Sequence, residues 1–74
     1  MNNMAERLKE NINQYIIEHS IIDKQEIFRK RDSLVNKLKK IYNDNEKLTD
    51  YQLFKLCRWE FFELQESLIV NTKW

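Results

Sequence analysis

The sequence predicts an all-α fold in which three helices lie mostly antiparallel, with the second and third forming a central hairpin and the first packing across it or swapping to a partner. Three observations carry this expectation. The 74 residues contain no glycine and no proline, so nothing in the chain breaks a helix except short Asn, Asp and Ser runs. Apolar residues recur at three- and four-residue spacing through three long stretches. Only two polar breaks separate them, at residues 20–23 and 43–47, and such short connections favour antiparallel neighbours. A single helical domain over residues 1–74 is expected.

The first helix is expected over residues 3–19. Asn3 is placed to cap it, Glu6 sits favourably in the first turn, and Leu8, Ile12, Tyr15, Ile16 and His19 form its apolar face. Asp23 is the expected cap of the second helix, with Glu26 three residues on and Ile22 facing Ile27 as a hydrophobic staple. That helix, over residues 23–43, carries Ile27, Phe28, Leu34, Val35, Leu38, Ile41 and Tyr42 on one broad face interrupted by Arg31. In the following break an asparagine is expected to take the left-handed conformation that glycine would usually adopt.

The third helix, residues 49–70, is the most apolar. Thr49 and Gln52 have the spacing of a capping box, and Leu48 with Leu53 that of a staple. At about 100° per residue, Leu53, Cys57, Phe61, Leu64 and Leu68 form a core stripe. Tyr51, Phe62 and Ile69 fall on the opposite side, and Trp59 with Val70 on a third. Glu60 interrupts the core stripe, so a partner is expected for it: Arg31 or a lysine of the second helix. An antiparallel hairpin also brings Arg29, Lys30 and Arg31 towards Glu63 and Glu66, pairs that select register more than they stabilise, at about 0–1 kcal/mol each.

Composition excludes several classes of chemistry. Phosphate-cradling loops, nucleophile elbows and calcium loops need glycine at fixed positions, so a Rossmann site, a P-loop and an EF-hand are all ruled out. One cysteine, Cys57, and one histidine, His19, make neither a disulfide nor a closed zinc site. Cys57 lies in the core stripe, where a thiol is normally inert, and His19 near a helix C-terminus. No enzyme activity, cofactor, metal or small-molecule substrate is expected. The start of the chain has no basic and apolar leader pattern, no run is long enough to span a membrane, and the free cysteine suits a reducing compartment, so a cytoplasmic protein is expected.

What remains is binding. A chain of this size buries only about 60% of its unfolded surface, which favours self-association, and a homodimer is expected on that ground. Tyr51, Trp59, Phe62, Ile69 and the terminal Trp74 are the candidate residues for a dimer or partner interface, because tryptophan and tyrosine dominate interface hot spots. The competing reading is that the first helix simply covers this face. The expected function is a small regulatory or adaptor protein, of inhibitor, modulator or chaperone type, acting on another protein; abundant Asn, Ile and Lys suggest a bacterial, phage or plasmid origin. The alternative is a nucleic-acid-associated regulator. Net charge is only +1, yet residues 23–45 hold seven basic against four acidic side chains, and Arg29, Lys30, Lys37 and Lys40 form a basic face suited to phosphates.

The run Ser33-Leu34, Lys40-Ile41-Tyr42 and Leu48-Thr49-Asp50 loosely resembles the Hha/YmoA nucleoid modulators, which partner a DNA-binding protein. Where that family has Ala-Ala-Asp-His-Arg, this chain has Trp59-Glu60-Phe61-Phe62-Glu63, and the family's proline-containing C-terminal segment has no counterpart. The same hairpin looks like the small aspartyl-phosphate phosphatases of the sporulation phosphorelay. Their Ser-Gln-Glu-Leu-Asp motif falls at Cys57-Arg58-Trp59-Glu60-Phe61, with phenylalanine in place of the critical aspartate. Both likenesses cover about half the chain on helical patterning, and neither assigns a family.

Overall fold

Four helical segments make up the structure: α1 (Met4–Glu18), α2 (Gln25–Asp44), α3 (Asp50–Leu56) and α4 (Arg58–Asn71). A computed structural model describes residues 3–21 and 23–72, and no strand occurs among them. The all-helical expectation therefore holds. The single third helix does not: it divides at Cys57 into α3 and α4. Cys57 has φ −113° and ψ 21°, and its N–H is shared between the carbonyls of Leu53 at 3.2 Å and Phe54 at 3.1 Å. One tightened turn thus bends the segment with neither proline nor glycine present.

The end of α1 is a Schellman motif. Ser20 takes the left-handed conformation with φ 49°, its N–H donates to Ile17 O at 3.3 Å, and the Ile21 N–H donates to Ile16 O at 3.2 Å. Ile16 and Ile21, the hydrophobic pair of that motif, are both buried. Among the described residues Ser20 is the one at positive φ, so the left-handed asparagine expected in the second break is not found. Asn45 is extended instead, and its side-chain oxygen accepts the Lys47 N–H at 3.1 Å, closing the turn by a side-chain route.

Helix starts differ in how well their caps could be read. The Thr49 box forms in both directions, with Gln52 N–H donating to Thr49 Oγ1 at 3.2 Å and Thr49 N–H to Gln52 Oε1 at 2.9 Å. Asn3 stands at the N-cap of α1 without a side-chain bond. Asp23 is not the cap of α2: the helix begins at Gln25 after Lys24, whose carbonyl accepts the Phe28 N–H at 2.8 Å. The Ile22–Ile27 staple lies outside the described residues.

Helix α2 is the centre of the molecule, with α1 and α4 both packed on it and α3 bridging α2 and α4. Ile12 and Ile16 of α1, Ile27, Leu34 and Leu38 of α2, Leu53 of α3, Cys57, and Leu64 and Leu68 of α4 form one buried cluster with Ile21. Helix α1 thus packs on the α2 of its own chain. Polar ties hold the ends: Tyr15 Oη donates to Thr72 Oγ1 at 2.6 Å while Thr72 caps back onto the Leu68 carbonyl, and Arg7 pairs with Asp50 at 2.6 Å. The body measures 39 × 20 × 18 Å.

Candidate interaction surface

Helix α4 is apolar on two sides, and only one is consumed by the core. Leu64, Ser67 and Leu68 face inward. On the outer side Trp59 is 71% exposed, Phe62 47%, Ile69 46% and Val70 74%. The reading in which α1 covers this face does not describe the structure. Trp59 and Phe62 meet edge to face, with centroids 6.3 Å apart and planes at 73°, so they present one continuous aromatic surface. Tyr51 and Leu56 of α3 are also exposed. Trp74 lies outside the described residues.

Beside this surface runs a groove between α1 and the α3–α4 segment, of about 170 Å³, with Leu8 and Ile12 on one wall and Phe54, Phe61, Phe62 and Leu68 on the other. Phe54 and Phe61 pack across the bend at 5.0 Å. Its volume is on the order of that which accommodates one aromatic ring. Sequence periodicity missed it, because the groove exists only where α1 and α4 fail to meet over their full lengths on α2.

The charges around the face are arranged by position along it. Lys55 and Arg58 stand at its start, where each lies over a ring, Lys55 at 5.3 Å from Tyr51 and Arg58 at 5.8 Å from Trp59. Glu63 and Glu66 stand further along α4. The expected pairing of Arg29, Lys30 and Arg31 with Glu63 and Glu66 is not made. Lys30 bonds Ser67 Oγ at 2.6 Å and Glu26 at 3.4 Å; Arg31 bonds Asn13, pairs with Asp32 at 2.8 Å and stacks on Phe28 at 4.6 Å. Arg29 shares a cleft with Glu63, yet its ion pair is with Glu26 at 4.0 Å. Lys55, Arg58, Glu63 and Glu66, all exposed, therefore have no ion-pair partner among the described residues.

The partner of Glu60 is Lys37 rather than Arg31. Its hydrogen bond holds the Glu60 carboxyl below the ordinary range and raises the Lys37 ammonium above its own. Of the four basic-face residues, Arg29, Lys30 and Lys37 are each tied to a carboxylate, while Lys40 has no ion pair among the described residues. Arg29 and Lys30 share the one carboxylate of Glu26, so two carboxylates offset two of the four cations of this face.

The chain's single thiol is not poised for nucleophilic chemistry. Cys57 is fully buried, and burial pushes its thiol pKa up. His19, at the C-cap of α1, stacks on Tyr15 at 4.1 Å. Among the described residues no group of three His, Cys, Asp or Glu side chains is placed to hold a metal ion, and no helix is long and apolar enough to cross a membrane. No family model matches the chain, and neither a curated protein nor a solved structure was found to match it.

Proposed function

We propose that this chain is a non-enzymatic interaction protein, a regulator or adaptor that docks onto another polypeptide through the outer face of α4. The observation that carries the reading is the exposure of the touching Trp59–Phe62 pair, with Ile69 and Val70 exposed two to three turns further along the same side, on a helix whose other side is core. Scattered surface hydrophobics need no explanation, but four on one face, two of them aromatic and in mutual contact, make the kind of patch that marks a binding site.

Site-specific photo-crosslinking tests it. A benzophenone side chain at position 59 is expected to form adducts with a protein partner, and the same probe at position 40, on the basic face of α2, to form none. Equal yields from both positions, or none from position 59, would remove the α4 face as the docking surface. Far-ultraviolet circular dichroism of each labelled chain controls for folding.

A further inference from the structure

We infer that the polypeptide on the outer face of α4 is a second copy of this chain, paired antiparallel about a two-fold axis. The inference rests on the proposed docking role of that face and names its occupant. Its ground is the order of charges along the face: Lys55 and Arg58 precede the Trp59–Phe62 pair, and Glu63 and Glu66 follow it, all four exposed and without ion pairs among the described residues. A parallel copy sets lysine beside lysine and glutamate beside glutamate. An antiparallel copy sets each basic end on an acidic end.

In the register that places Trp59 opposite Phe62 of the second copy, Arg58 comes opposite Glu63 within α4, and Lys55, at the end of α3 just before the bend, comes to the level of Glu66. Two-fold symmetry makes every one of these relations twice. The apolar residues supply association and the charges supply orientation, since rim charges act mainly on specificity and rate.

Area allows the same occupant. With about 150–250 Å² for a buried aromatic side chain, the exposed parts of Trp59, Phe62, Ile69 and Val70 amount to roughly 400–500 Å². Adding the exposed part of Tyr51 brings this to roughly 500–650 Å², below the roughly 800 Å² per partner of a standard interface, with the flanking polar side chains to supply the rest. A chain of this length is short of burial on its own, and a copy of itself is the partner that is always present.

The test is molar mass by light scattering across a dilution series, on the full chain and on three variants: Lys55→Glu, Glu66→Lys and the exchanged pair Lys55→Glu/Glu66→Lys. The wild type is expected at twice the 9.2 kDa chain mass. Each single variant, which sets like charges face to face at two places, should raise the dissociation constant about tenfold, and the exchanged pair should return it to near the wild-type value. Singles and double that all associate like the wild type would overturn the antiparallel register. A wild type that stays at 9.2 kDa at every concentration would overturn self-association. That result would leave the docking reading to its own crosslinking test, in which the adduct then contains a different protein.

Discussion

Lys37 on α2 and Glu60 on α4 form the ion pair that joins the two helices next to the bend at Cys57. Each partner holds the other in its charged form. Glu60, its pKa lowered from 4.5, contributes stability that is complete above that value and lost as pH falls through the folded pKa. Lys37, raised from 10.5, contributes stability that is complete below that value and lost as pH rises through its folded pKa. The urea midpoint of Glu60→Gln should therefore lie below that of the wild type by a constant amount between those limits and converge with it in acid. Curves that stay parallel to the bottom of the carboxylate range would show that the pair does not couple folding to pH.

Cys57 should behave as a reporter of unfolding. Its thiol is buried and its pKa pushed up by burial, so labelling by a thiol reagent at neutral pH is expected to be slow and to accelerate in step with loss of helicity in urea. Fast labelling of the folded chain would contradict the burial. Cys57→Ser, which places a hydroxyl in the same apolar site, should cost about 1–3 kcal/mol in chemical denaturation.

Ser20 is the residue that bears left-handed backbone at the α1 cap. Ser20→Gly removes the Cβ clash while keeping both Schellman hydrogen bonds, and is expected to stabilise the fold by about 0.5–1 kcal/mol, net of the added freedom of the unfolded chain. A lowered melting temperature would mean that the serine side chain contributes more than its strain removes.

Inner and outer apolar residues should separate cleanly by mutation. Leu34→Ala, at a side chain with 0% exposure, is expected to cost about 2–5 kcal/mol in denaturant unfolding. Trp59→Ala, on the outer face, should change the monomer's stability by no more than about 0.5 kcal/mol while weakening association. Comparable losses of stability in both variants would place Trp59 in the core.

Much of the fold could be read from local chemistry. Missing glycine and proline, the apolar spacing of Ile12 and Ile16, of Ile27, Leu34 and Leu38, and of Leu53, Leu64 and Leu68, and the Thr49–Gln52 box are properties of short windows, and the helices they specify are present. The bend at Cys57 was not legible, because a tightened turn without a breaker residue leaves no mark in composition. Nor was the choice of Lys37 over Arg31 as the partner of Glu60, since helical spacing lists every basic residue on the facing stripe and only the crossing of α2 and α4 decides which ammonium is within reach.

For the candidate surface the division is the same. The sequence by itself determined that α4 would be apolar on more than one side, since Trp59, Phe62 and Ile69 cannot share the stripe of Leu64 and Leu68 at about 100° per residue. Whether that second side was core or surface depended on where α1 settled. A small chain has one layer of burial to distribute, and α1 took the flank of α2 rather than the back of α4, so the tertiary structure alone decided that Trp59 and Phe62 face outward.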